Sequence, residues 1–393
     1  MMKKMIITMR ENDFWLSKWA GVGLLVLLCA PWFMPSNKLY HQLIIALLWL
    51  PAFLFLLMGK KRSLLLSSDI GLYVALAIWT ILVIVIKGGE EPVSDFKQVL
   101  YISLTLIAML LFSELGEDRL KNLLLVAALV GGLGAGASWV SFYLFKDNVF
   151  ADRVMALGIW DTIIMAAHAV GALAVLGVGL VIERIRDRRV LCLAVVAAIG
   201  YLLFLVSSQT RGVWVGLAAA MCVALLVLPA RLRWILVSTG VGVISITFAV
   251  YPDFLLQRGL SYRPELWSAG IDLLSDSPWL GLGFHEIQLR VQELQTVFKH
   301  PHNLYINIAI RTGIIGLALY LILWGRVVWL AWQAREQVLG RALLGLWSFS
   351  TVCLLTDGIG LWDKPNADWL VIWLPVGLGL VLARTLKAKS ALM

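Results

Sequence analysis

The chain has 393 residues, 61% of them hydrophobic, with a mean hydropathy of +0.87 and a formal net charge of +9. That composition excludes a water-soluble globular domain, because lipid must be the solvent for most of the chain. The positive charge does not point to nucleic acid either, since most of it lies in short loops that alternate along the sequence.

Runs of about 20 apolar residues, enough to cross roughly 30 Å of hydrocarbon, are predicted near 15–33, 39–58, 69–86, 97–113, 120–145, 160–182, 189–207, 212–229, 232–251, 302–330, 340–357 and 366–384. They make an all-α polytopic membrane protein of about twelve transmembrane helices, a single integral domain over 1–393. The first run follows Lys3, Lys4 and Arg10, but "LLVLLCAPWFMPSN" offers no small-residue cleavage site, so it reads as a retained helix and not as a signal peptide. Cys29, Cys192, Cys222 and Cys353 all fall in apolar runs without CxxC pairing and read as small hydrophobes.

Twenty-one of the 33 Lys and Arg lie at the termini and in alternate loops, including "KKR" at 60–62, "RIRDRR" at 184–189 and "RLR" at 231–233. The positive-inside rule makes that side cytoplasmic and puts both termini there. The remaining twelve, among them Lys87, Arg153, Arg211, Arg258, Arg263, Arg290, Lys299 and Arg311, lie toward the opposite face, against the orienting bias. A bound anion would account for them.

Most connections are short, but residues 252–301, between the ninth and tenth segments, form a long outer loop of the kind that tends to carry function. "RPELWSAGIDLLSDSP" predicts an amphipathic helix with Leu266, Ile271 and Leu274 apolar and Pro264 in its first turn. "HEIQLRVQELQTVF", 285–298, predicts a second, with Ile287, Val291, Leu294 and Phe298 apolar.

Three places can carry chemistry. His302 opens the tenth segment, and Asn303, Asn307 and Arg311 follow at helical spacing on one face. Capping and interfacial polarity explain His302 and Asn303 taken alone. Arg311, about 13 Å deeper, needs a partner or a water-filled cavity. Arg211, in "SSQTRGVWVG", sits among hydrogen-bond donors beside Gly212, which lets a ligand approach closely; snorkelling is the plainer reading. Arg263 begins the first loop helix, where the helix dipole also favours an anion. Arg153, beside Asp152, is weaker, and His168 reads as a satisfied interior histidine. No Walker-type loop, HExxH, CxxC or DxD appears, and the outer acids Glu90, Glu91, Asp95, Asp357 and Asp363 are not spaced as a dedicated divalent site. The expectation is a site without metal or cofactor.

The "TRG" turn, "SYRPELWSAGIDLLSDSPWLGLGF" and "HPHNLYINIAIRTGIIG" together resemble the O-antigen ligase and O-antigen polymerase superfamily of bacterial membrane glycosyltransferases, most specifically between about 200 and 320. The resemblance implies a GT-C-like fold in the bacterial inner membrane. It implies Arg211, Arg263 and His302 as catalytic residues at the periplasmic face, with Arg153, Asn303 and Arg311 as candidates for substrate binding. It also implies transfer of O-antigen polysaccharide from undecaprenyl diphosphate to a sugar hydroxyl of lipid A-core, inverting the anomeric centre, with membrane lipids as the only other partner. Polymerases often carry an arginine followed eleven positions later by glycine; here those positions hold Cys222, Leu274 and Pro301, which favours ligase. A flippase of lipid-linked sugars is the alternative from another class, and would be expected to show paired halves and broken helices.

Overall fold

The computed structural model describes residues 2–58, 62–146, 148–228, 230–250, 262–291 and 296–390. Every one of the twelve predicted segments is helical: α1 (Met2–Cys29), α2 (Asn37–Met58), α3 (Ser68–Lys87), α4 (Pro92–Ser113), α5 (Glu117–Phe145), α6 (Ile163–Arg184), α7 (Arg188–Ser208), α8 (Arg211–Val227), α9 (Ala230–Val250), α11 (Leu304–Gln333), α12 (Val338–Thr356) and α13 (Asp368–Ser390), with α10 (Arg263–Ser275) in the long loop. Among the described residues, ten of these are long and apolar enough to cross a membrane; α8 is apolar but shorter. The chain is thus an all-α polytopic membrane protein.

Side-chain caps start several helices: Ser36, Ser67, Thr162, Asp187 and Asn303 each accept a hydrogen bond from a first-turn N–H. The helices pack as α5 on α6 and α7, α12 on α6 and α8, and α11 on α3, α12 and α13. Buried Leu173, Leu176, Phe349 and Trp373 belong to the shared core. His168 is buried in α6, its Nδ1 3.3 Å from Asp368 Oδ1.

The tenth predicted segment is not one helix. Gly313 has φ 71° and ψ −179°, which breaks α11 after its third turn. In hydrocarbon every backbone polar group needs a partner inside the protein, and the long loop supplies them. Leu282 N–H donates to Ile310 O (2.7 Å) and Gly283 N–H to Arg311 O (3.1 Å), while Ile314 N–H donates to Pro278 O (2.8 Å). Trp79 Nε1–H of α3 donates to Thr312 O (2.8 Å). The approach is close enough that a Cβ on Gly313 would lie 2.0 Å from Trp279 O.

The loop helix α10 forms as predicted, with Pro264 in its first turn and Leu266 buried, although Ile271 is exposed. The second predicted loop helix does not form. In its place β1 (Leu289–Val291) pairs antiparallel with β2 (Thr296–Phe298), Leu289 opposite Phe298. The stretch Ile287-Gln288-Leu289-Arg290 alternates buried and exposed, the two-residue period of a strand. Leu289 and Phe298 then pack on Leu266, Ala269 and Leu273 of α10. Residues 251–261, with Arg258, and 292–295, with Leu294, lie outside the described residues.

Candidate active site

The site is built on the two residues that end α12, Thr356 and Asp357. Arg263, first residue of α10, donates from Nε to Thr356 O at 2.6 Å. Arg211, first residue of α8, is brought to the same place by Gly212, where a Cβ would lie 2.3 Å from Thr356 Oγ1 and 3.1 Å from its Cβ. No side chain larger than hydrogen fits between this turn and α12. His302 joins them from the other side, its Nδ1 2.8 Å from Asp357 Oδ1. The three residues singled out in the sequence, 91 positions apart at the extremes, therefore meet around one corner of the bundle.

The backbone there is unusual in one respect. Among the described residues, three besides glycine have positive φ: Gln209 (50°), Tyr262 (56°) and His302 (51°). They stand two residues before Arg211, one before Arg263 and at His302 itself. Left-handed backbone at such residues is uncommon and costs of order 1–3 kcal/mol, which persists where the surroundings over-determine it. Here the chain spends that energy at each of the three turns that carry Arg211, Arg263 and His302.

Asp357 fixes the imidazole. Burial works to raise the Asp357 carboxyl, but the His302 hydrogen bond and the charges of His168, His302 and Arg263 outweigh it, so its pKa lies below the ordinary value. An ionised carboxylate can only accept, so the tautomer that suits this contact carries its hydrogen on Nδ1 and leaves the Nε2 lone pair free to accept. His300 stacks edge-on against His302, ring centroids 4.1 Å apart, and burial followed by the charge of His302 holds its pKa below the usual imidazole range. His300, His302 and Asp357 bring potential ligand atoms within 4.8 Å of one another, a cluster small enough for a cation to share.

The other candidates do different work. Asn303 caps α11, its Oδ1 accepting from Tyr305 N–H (3.0 Å) and Ile306 N–H (3.1 Å), and is buried. Arg153 braces the turn that carries Arg211, donating to Ser208 O (2.8 Å) and Thr210 Oγ1 (3.2 Å). Arg311 donates to His285 O at 2.7 Å and lines a polar cavity of about 420 Å³ that also touches His300. That Asp357 orients His302 from 55 positions away does not follow from spacing; the signal that marks it is its place in the polar "TDGIGLWDKPNADW" between two apolar runs.

A second cavity, of about 290 Å³, is almost wholly apolar. It is lined by α6, α7, α8, α9 and α12, from Trp214, one turn below Arg211, to Arg341 at the far end of α12.

Residues 193–321, about a third of the chain, match the family model described as O-antigen ligase. The chain is also 26% identical over 369 residues to an O-antigen ligase of Pseudomonas aeruginosa, covering 92% of this chain and 90% of that protein. It is a membrane enzyme of the glycosyltransferase type. Within that class its likeness, over most of its length, is to the O-antigen ligases.

Proposed function

We propose that the protein is an O-antigen ligase, transferring a polysaccharide from undecaprenyl diphosphate to a sugar hydroxyl of lipid A-core. The corner described above would face the periplasm from the bacterial inner membrane. The observation that carries this reading is the convergence of Arg211, Arg263 and His302 on Thr356 and Asp357. His302 Nε2 takes the proton of the acceptor hydroxyl, whose oxygen attacks the anomeric carbon as the bond to the diphosphate breaks. Negative charge grows on the departing diphosphate, and Arg211 and Arg263, already oriented, stabilise it. Attack opposite the leaving group inverts the anomeric centre. The apolar cavity that starts one turn below Arg211 suits the first isoprene units of the carrier lipid.

The charge distribution supports this orientation. Lys121, Arg184, Arg326, Arg335, Arg341 and Arg384 gather at the end of the bundle opposite the corner, the end that the positive-inside rule makes cytoplasmic. The test is reconstitution of the purified protein with carrier-linked glycan and lipid A-core. Product on the core supports ligase, whereas elongation of the donor glycan itself identifies a polymerase. Carrier-linked glycan moved across the bilayer without transfer identifies a flippase. Because His300, His302 and Asp357 can share a cation, the assay is run with and without chelator; full activity in chelator is the expected result, and its loss would replace the general-base role of His302 by that of a ligand.

A further inference from the structure

The polar cavity beside His300 is not needed to hold a diphosphate, and its chemistry is of another kind. It lies between the 284–286 stretch of the loop, the starts of α4 and α11, and the 359–363 connection after α12. Asp95 Oδ2, His300 Nδ1, Trp362 Nε1 and Asp363 Oδ2 are buried in its wall without a hydrogen-bond partner among the described residues. Arg311 lies near enough to Asp363 to pull on its carboxyl, yet neither Asp363 nor Asp95 forms an ion pair with it among the described residues. Lys299, also on the cavity, is already paired with Glu286.

Buried polar atoms are nearly always satisfied, and each one left open costs on the order of 1–3 kcal/mol. Four beside one cavity, two of them on aspartates, describe a wall short of hydrogen-bond partners, which O–H donors and an oxygen facing the indole N–H would supply as the side chains turn to meet them. Carboxylates outnumber free cations, so a phosphate is disfavoured there. A neutral, hydroxyl-rich ring meets every requirement, and the edge-on contact of His300 with His302 puts such a ring next to the proposed base.

We propose that this cavity is the acceptor subsite, binding an uncharged sugar ring through Asp95, Trp362 and Asp363 and presenting one of its hydroxyls to His302. The proposal rests on the ligase reading above. It divides the corner into a cationic donor side, with Arg211 and Arg263, and an acidic acceptor side.

The experiment measures binding and transfer with the full-length protein in lipid nanodiscs. The probes are undecaprenyl diphosphate and two soluble core oligosaccharides, one dephosphorylated and one phosphorylated. Asp363→Asn and Asp95→Asn are each expected to weaken binding of the dephosphorylated oligosaccharide, and to raise the acceptor KM, by about tenfold or more. Affinity for undecaprenyl diphosphate stays within about twofold, since the variants leave the arginine side untouched. Trp362→Phe keeps an aromatic ring at the position while removing the indole N–H, so it tests the cavity even if a carboxylate variant folds badly; a loss of about threefold to tenfold is expected. Unchanged acceptor affinity in all three variants overturns the proposal. So does a parallel fall in donor affinity, and so does a phosphorylated oligosaccharide binding more tightly through the same residues. A wild-type protein that binds the sugar but transfers nothing to lipid A-core instead sinks the ligase reading.

Discussion

The two ends of the bundle treat charge in opposite ways. At one end charges are matched: Arg326 Nε lies 2.6 Å from Asp69 Oδ1, Lys121 reaches Asp118 (3.0 Å) and Glu183 (3.1 Å), and Arg384 pairs with Glu114. At the other end two arginines are held by backbone carbonyls: Arg263 by Thr356 and Arg311 by His285. A carbonyl orients a guanidinium without cancelling its charge. Among the described residues Arg263 and Arg311 make no ion pair, and Asp95 and Asp363 are likewise left open. The first end is organised for anchoring; the second keeps its electrostatic capacity for a ligand.

That contrast can be broken by substitution at either end. His302→Ala should lower transfer by about 10³-fold, within the range for general bases, with the detergent-extracted protein still monodisperse and still binding carrier lipid. Arg211→Lys and Arg263→Lys keep the charge but lose the planar fork, and should each lower kcat by about 10²-fold. Asp357→Asn should lower kcat by about ten- to a hundredfold with donor KM little changed, because it removes the partner that fixes the imidazole tautomer. At the matched end, Asp69→Asn should leave transfer within about twofold and lower thermal stability by about 1 kcal/mol at most, since Arg326 is partly exposed.

A last test, read on stability and not on transfer, sharpens the comparison through pH. Burial, followed by the charge of Asp368, raises the Asp363 carboxyl to about 6 from an ordinary 3.8. The folded protein therefore holds more protons than the unfolded chain between those values, and loses stability as pH rises through about 6. Asp363→Asn should relieve that cost: a higher melting temperature than wild type at pH 8, worth up to about 3 kcal/mol, converging with wild type below pH 4. Differential scanning fluorimetry in one detergent across that range reads it out. No gain at pH 8 would mean that Asp363 is satisfied in the protein itself.

The helices were legible because hydropathy is a sum over 20 residues, and lipid enforces it; each of the twelve runs became a helix. The break at Gly313 was not, because "IAIRTGIIGLALYLILWG" is apolar on both sides and the compensating loop groups come from 28 to 36 positions upstream. Broken helices were expected of a transporter; here the break is filled by the loop. The 285–298 helix was misread because every third or fourth residue and every second residue are both apolar over so short a stretch, and packing on Leu266 decided for the strand. Arg211, Arg263 and His302 stood out by motif, and the structure brings them together. Asp357, Asp95, Trp362 and Asp363 carried only their polarity near apolar runs, and which of them shared a cavity depended on tertiary contacts.

The filled break at Gly313 also decides what can move. Were residues 278–283 to lift away, the carbonyls of Ile310 and Arg311 would lose their partners, and a buried group left unsatisfied costs several kcal/mol. That piece of loop is in effect riveted to α11, a fixed floor beneath the acidic chamber. Any movement that keeps those bonds must therefore hinge elsewhere in the loop.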